Sequence, residues 1–153
     1  MHIRIEDPAT PDITALLEQH LADMRAISPP ESKHALDIEA LRTPEITFWS
    51  VRDDDKLLMG CGALLALGET HGEIKSMRTD HDHRRKGVGA ALLSRIIAAA
   101  QSRGNTRLSL ETGTQPEFEP ARTLYARFGF IPCGPFADYK PDPNSVFMAR
   151  EIE

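Results

Sequence analysis

The feature that most limits the possible folds is a strand-like segment followed by a basic, glycine-containing loop and an apolar helix. Residues 72–79, GEIKSMRT, are typical of a strand, and residues 83–97 read HRRKGVGAALLSRII. The apolar run predicts a helix from Gly87 to about Arg103. A helix begins with unpaired backbone N–H groups and the positive end of its dipole. Because Gly87 and Gly89 lack a Cβ atom, an anion can approach this backbone closely. The segment therefore predicts a phosphate or pyrophosphate site.

The spacing of the glycines separates three kinds of phosphate-binding loop. A Walker A loop needs a lysine followed by Ser or Thr after its last glycine, whereas Lys86 precedes Gly87. A dinucleotide-binding loop needs a third glycine where this chain has Leu92, and an acidic residue about 20 positions later has no convincing candidate. The remaining pattern, Arg/Gln-x-x-Gly-x-Gly/Ala, is met by Arg84, Gly87 and Gly89. On this pattern alone, an ordinary basic helix start remains an alternative.

Length and composition favour a globular protein over other classes. The 153 residues, 41% hydrophobic and 27% charged, predict one domain, residues 1–153, with a single core. No apolar run reaches the roughly 18 residues of a membrane-spanning helix. Acidic residues stand near the N-terminus where a signal peptide needs an apolar core, so we expect a cytoplasmic protein without a membrane partner.

Charge and cysteine content narrow the class of ligand. A formal net charge of -5 argues against a nucleic-acid partner, which would need a broad basic surface. The basic tripeptide at 84–86 is therefore a local feature that favours a small anion. Cys61 and Cys133 lack metal-type spacing, so we expect two reduced, buried thiols and no metal.

Periodicity and turn residues predict the element order β-α-α-β-β-β-α-β-α-β-β, an α/β sandwich of mixed sheet and helices. Strands are expected at 2–6, 46–52, 56–67, 72–79 and 107–112, with two more in the C-terminal tail. Helices are expected from Pro11, at about 35–43, from Gly87 and from Pro120.

Two motifs in this order resemble those of the GNAT superfamily of acyl-CoA-dependent N-acyltransferases. GEIKSMRTDHDHRRKGVGAALL resembles the strand, loop and helix that bind coenzyme A in that superfamily, and ARTLYARFGFIPCG resembles its next helix and strand. The resemblance covers nearly the whole chain. The segments SPPESKHALD and CGPFADYKPDPNSVFM further resemble a bacterial subgroup of small GNAT proteins. The resemblance implies a central mixed, mostly antiparallel sheet flanked by about four helices, and acetyl-CoA as cosubstrate.

The resemblance also implies which residues bind the cosubstrate. Backbone N–H groups of 85–90 would hold the pyrophosphate, and the backbone of 77–79 would pair with the pantetheine arm like an added strand. The implied set is Met77, Arg78, Thr79, Arg84, Arg85, Lys86, Gly87, Val88, Gly89, Ala90 and Tyr125. The chain departs from the usual Val, Pro and Asn at Thr79, His81 and Phe118, and the last change removes a side-chain hydrogen bond to pantetheine.

Acetyl transfer to an amine needs a neutral amine, a stabilised oxyanion and a proton for the departing sulfur. Tyr125 resembles the superfamily tyrosine that protonates the sulfur, although a packing role on an amphipathic helix is the alternative. Glu73 is the candidate base, because it lies 11 residues before Arg84, a spacing at which some members of the superfamily place a catalytic glutamate on this strand. Its alternation with Ile74 turns it away from the apolar side of the strand. An ion pair with Lys75, a water-linked base or His34 are the alternatives.

The acceptor is expected to be the amine of a small molecule or peptide. Residues nominated to bind it are Ser28, Glu31, Ser32, His34, Asp138 and Tyr139, with Lys33 or Arg78 available for a carboxylate. Two other functions remain open: a non-catalytic acyl-CoA sensor of the same fold, and a nucleotide-binding regulator. An exposed edge strand near the C-terminus is compatible with a homodimer.

Overall fold

A computed structural model of the chain describes residues 1–27 and 38–153. Seven strands form one sheet in the order β1-β2-β3-β4-β5-β7-β6, in which only the β4–β5 pair is parallel. The strands are β1 (His2–Ile5), β2 (Ile46–Arg52), β3 (Leu58–Ala66), β4 (His71–Thr79), β5 (Arg107–Gly113), β6 (Ile131–Cys133) and β7 (Ser145–Glu151). The helices are α1 (Pro11–Ile27), α2 (Val88–Ser102) and α3 (Glu119–Arg127). The predicted fold class, a mixed and mostly antiparallel α/β sheet, is confirmed.

The expected number of helices was about four, whereas the described part of the chain contains three α-helices. The prediction of a helix at 35–43 lies partly outside that part. Its described end forms one 3₁₀ turn, Ala40–Arg42, which buries Leu41. Pro44 follows at once, so there is no room for a further turn.

No helix within residues 1–27 and 38–153 combines the length and the apolar character that crossing a membrane requires.

The two faces of the sheet carry separate apolar clusters. On one face, α2 buries Leu92, Leu93 and Ile96 in the cluster that contains Ile74 of β4. On the other face, α1 packs against β2 and β3 in a second apolar cluster. The helix contributes Ile13, Leu16 and Leu17, and the sheet contributes Phe48 of β2 with Cys61 and Ala63 of β3. We call the two faces the α2 face and the α1 face.

Strands β4 and β5 separate halfway along β4. Their pairing runs from His71–Arg107 to Ile74–Leu110 and ends there, although β4 stays paired with β3 as far as Thr79. A bulge follows at Ser76, whose φ is +57° and which lies where the β3–β4 register shifts. The parallel strands therefore open into a cleft, bounded by residues 75–79 of β4 and 111–113 of β5.

Candidate active site

One end of the cleft faces the start of α2. Chain reversal before the helix uses left-handed backbone at Arg85 (φ +66°) and Gly87 (φ +81°). The first backbone hydrogen bond of α2 is donated by the N–H of Ala91 to the carbonyl oxygen of Gly87, at 3.0 Å. The N–H groups of residues 88–90 precede it and so have no partner within the helix. The geometry fits an anion such as a pyrophosphate.

The side chains around this helix start divide between solvent and core. Arg84, Arg85 and Lys86 are exposed, so their charges can surround an anion from outside. Val88 is 2% exposed and packs in the core, which leaves only its backbone for binding. Gly89 and Ala90 are half-buried.

The two glycines of the loop serve different purposes. A Cβ added at Gly87 would meet nothing closer than Met1 Cε at 3.9 Å, so the backbone there is open to a ligand. A Cβ added at Gly89 would lie 3.0 Å from Leu124 Cδ2 of α3. Gly89 therefore also permits the close approach of α3, which carries Tyr125 beside the helix start.

The β4 residues nominated for the pantetheine arm have side chains on both faces. Met77 packs against the cluster on the α2 face, and Thr79 is paired with Gly60 of β3. Arg78 is paired with Cys61, and its guanidinium forms an ion pair with Asp23 of α1. All three belong to the part of β4 that no longer pairs with β5.

Arg78 was also a candidate to receive a carboxylate, and its guanidinium is already engaged. Besides the Asp23 ion pair, it donates to His81 Nε2 at 3.0 Å. His20 of α1 lies close by, and burial together with the Arg78 charge lowers its pKa to about 4, so it is neutral at pH 7. A carboxylate would have to compete with Asp23 for this guanidinium.

Tyr125 lies near the cleft and is 6% exposed. Its ring packs edge-on against Phe130, with centroids 5.9 Å apart. Burial raises the pKa of Tyr125 above the ordinary value of a phenol, and the nearby Glu111 carboxylate raises it further. The hydroxyl is therefore protonated throughout the neutral range and can act only as a proton donor.

Glu73 is 2% exposed, and two groups contact the same carboxylate oxygen. Tyr139 OH donates to Glu73 Oε2 at 2.6 Å, and Lys75 Nζ lies 3.3 Å from Oε2. Lys75 Nζ also approaches Tyr139 OH at 3.4 Å. We call these three residues the Glu73 cluster. The Glu73 side chain points to the α1 face, opposite to Ile74, as the alternation along β4 predicts. The alternative prediction, an ion pair with Lys75, is also found.

The loop at 134–144 places Tyr139 over Glu73 by means of an aromatic cluster. The Tyr139 ring lies 5.0 Å from Phe136 and 5.5 Å from Phe147 of β7. Burial raises the pKa of Tyr139, and its hydrogen bond to Glu73 and the charge of Glu111 act in the same direction. A segment far along the chain thus covers the acid on β4.

Of the other residues nominated for the acceptor, only Asp138 lies in the described part of the chain. Asp138 is exposed on the same loop as Tyr139, but its side chain does not join the Glu73 cluster through any contact found among the described residues. Ser28, Glu31, Ser32 and His34 lie outside the described residues, as does Lys33.

Glu111 is the acidic residue that sequence reasoning missed. It is the first β5 residue beyond the last pair with β4, and Ser145 Oγ donates to its carboxylate at 2.7 Å. Its charge raises the pKa of both Tyr125 and Tyr139, so it lies near both phenols. The available signal was an acid placed directly after Leu110 in the apolar strand RLSLET.

The two thiols differ, contrary to the expectation that both are buried. Cys61 is fully buried, which raises its pKa to about 12, whereas Cys133 is half-exposed because β6 lies at the sheet edge. In the part of the chain that the structure describes, no three His, Cys, Asp or Glu side chains converge as metal ligands.

Comparison with known proteins decides the family. The Acetyltransferase (GNAT) family matches residues 13–130, which include most of α1, the cleft and α3. The chain belongs to the GNAT acetyltransferase family. It is therefore an acyltransferase, and acyl transfer to an amine is the activity of its family.

Relatives that match this GNAT protein over nearly its whole length include two bacterial proteins. It is 56% identical to YsnE of Bacillus subtilis, an uncharacterized N-acetyltransferase, over 99% of this chain and 100% of the relative. It is 48% identical to YedL of Escherichia coli, also an uncharacterized N-acetyltransferase, over 98% and 94% of the two chains. A Klebsiella pneumoniae structure described as an acyl-CoA N-acyltransferase superposes with a TM-score of 0.81 at 29% identity, covering 98% and 96%.

Proposed function

We propose that this protein transfers the acetyl group of acetyl-CoA directly to a primary amine of a small molecule or peptide, within a ternary complex. The observation that carries the proposal is the separation of β4 from β5 after Ile74. It leaves the backbone of residues 75–79 without a partner on the β5 side, between Glu73 and the loop that leads to the open start of α2.

The cosubstrate would lie along this cleft. Its pyrophosphate would accept hydrogen bonds from the N–H groups at the start of α2, with Arg84, Arg85 and Lys86 around it. Its pantetheine arm would pair with the β4 backbone at Met77, Arg78 and Thr79, where the partner strand is missing. Backbone pairing of this kind is compatible with the unusual residues Thr79 and His81.

Tyr125 would donate a proton to the departing sulfur. A phenol whose pKa is raised holds its proton at neutral pH, so the donor form is always present. Transfer to a thiolate with an ordinary pKa of about 8.5 is uphill. It therefore requires the close approach that a buried, fixed ring provides.

Glu73 would be the final acceptor of the proton that the amine loses. It lies on the α1 face of β4, four residues before Met77, where the backbone proposed to hold the arm begins. The acceptor would therefore approach from the α1 face while acetyl-CoA occupies the cleft.

The test separates an enzyme from a non-catalytic acyl-CoA sensor. Acetyl-CoA should raise the melting temperature through binding linkage, and CoA should be released when members of a panel of amines, amino acids and peptides are added. A raised melting temperature with no CoA release for any amine would favour the sensor. A larger shift with ATP or NAD than with CoA would favour a nucleotide-binding regulator.

A further inference from the structure

Oε2 of Glu73 is closed to direct contact with an acceptor amine in the described arrangement. Its side chain is almost fully buried, and Oε2 already accepts a hydrogen bond from Tyr139 and an ion pair from Lys75. An amine nitrogen would need to replace one of these groups to reach Oε2. A proton that passes to Oε2 therefore needs an intermediate carrier.

Tyr139 is the group placed to be that carrier. Its hydroxyl is 2.6 Å from Glu73 Oε2, a distance at which an O–H bond to a carboxylate is already strong. Its residue is half-buried, so the outer side of the ring reaches beyond the acid that it covers. Phe136, Phe147 and the Lys75 ammonium, 5.8 Å from the ring centroid, hold the ring in position.

We propose that Tyr139 is a catalytic proton relay between the acceptor amine and Glu73. This inference rests on the proposed acetyl transfer. As the amine nitrogen bonds to the thioester carbon, its N–H proton passes to Tyr139 Oη, and the Tyr139 proton passes to Glu73 Oε2. The C–S bond breaks, and the sulfur takes a proton from Tyr125. Solvent then returns the Glu73 proton to Tyr125, so the net products are the amide and CoA.

The surroundings of Tyr139 require the two proton transfers to be concerted. Charged and titratable groups that face Tyr139 are Glu73 and Lys75 of β4 and Glu111 of β5, while His71 contacts the neighbouring Phe136. Two carboxylates and burial disfavour a free tyrosinate at this position. The phenol must therefore gain a proton as it loses one.

Tyr139→Phe tests the relay because it removes one oxygen and keeps the aromatic packing. With the panel amine that gives the highest kcat/KM as the probe, kcat at pH 7 should fall about 100-fold, the usual range for a lost acid–base group. KM for acetyl-CoA should change by less than about threefold, because the proposed cosubstrate site at residues 77–79 and 84–90 does not include this hydroxyl. The variant rate should also rise with hydroxide concentration above neutral pH, as water replaces the relay.

Glu73→Gln and the double variant provide the decisive comparison. Residues that act as one unit are not additive, so the double variant should be no slower than either single variant. If Tyr139 merely covers Glu73, Tyr139→Phe keeps kcat within about threefold of the wild type, and the relay is wrong.

Phe136→Leu is the matched control for packing, because it removes a ring from the same aromatic cluster without touching the proton path. Because Phe136 helps to hold the Tyr139 ring but leaves its hydroxyl in place, kcat should fall by less than about tenfold, whereas a loss equal to that of Tyr139→Phe would show a packing effect and overturn the relay. Absence of CoA release for every amine with wild-type protein overturns the proposed function itself, and the relay with it.

Discussion

Glu6→Gln is expected to destabilise the fold in a pH-dependent way, because Glu6 belongs to a buried ionic network. Arg52, only 7% exposed, donates to both Glu6 oxygens at 3.0 and 2.8 Å and to Asp12 at 2.6 and 3.0 Å. Ser50 Oγ donates to Glu6 at 2.5 Å. The network ties α1 to β1 and β2, and α1 forms the wall of the face from which the acceptor is proposed to approach.

The magnitude follows from the pKa of Glu6. Hydrogen bonds from Arg52, and secondarily from Ser50, lower it from 4.5 to about 2. This difference corresponds to about 3 kcal/mol at pH 7, and solvent at the 15% exposed carboxylate reduces it to about 2 kcal/mol. Because the folded-state pKa is the lower one, the stabilisation is present above pH 4.5 and is lost as the pH falls toward 2.

Urea unfolding of the wild type and Glu6→Gln measures this directly. The free-energy gap should be about 2 kcal/mol at pH 7 and less than half of that at pH 3. Glu45→Gln, at an exposed position, is the control and should stay within about 0.5 kcal/mol of the wild type. A gap for Glu6→Gln that is equal at both pH values would refute the electrostatic explanation.

Three further outcomes are expected. Gly87→Val should abolish acetyl-CoA binding in calorimetry, because a side chain would fill the open approach to the backbone, whose φ is +81°. Gly68→Ala is the control and should bind normally, since an added Cβ there meets no atom within 4 Å. Retained affinity in Gly87→Val would contradict the pyrophosphate site. Tyr125→Phe should lower kcat about 100-fold with little change in KM for acetyl-CoA, and an unchanged kcat in steady-state kinetics would remove Tyr125 from the mechanism. A thiol reagent should label Cys133 in the folded protein and Cys61 only after unfolding, which peptide mass mapping would check; rapid labelling of Cys61 would contradict its burial.

The strands could be predicted from sequence because their side-chain alternation and turn residues agree. The predicted strand at 46–52 coincides with β2, and the predicted start of α2 at Gly87 is its N-cap. The start of β3 was placed two residues early, since Asp53 Oδ1 accepts hydrogen bonds from the N–H groups of Asp55 and Leu57 and extends the turn. These hydrogen bonds from backbone N–H groups to the Asp53 side chain replace strand pairing, and they form only in the folded turn.

The candidate site could be predicted only where it is local in sequence. The loop and helix start at 84–90 are one segment, so their glycine spacing was sufficient. The contact between Glu73 and Tyr139 joins residues 66 positions apart, and no local pattern specifies it. The bulge at Ser76 and the position of Glu111 near both tyrosines likewise depend on how β4 and β5 separate.

Direct acetyl transfer is tested most directly by following the acetyl group itself. The protein would be incubated with acetyl-CoA carrying ¹³C in the acetyl group and with the best amine of the panel. Mass spectrometry should find the label on the amine nitrogen, with the mass of the protein unchanged during turnover. Labelled protein, or an unlabelled amine despite acetyl-CoA binding, would contradict the account.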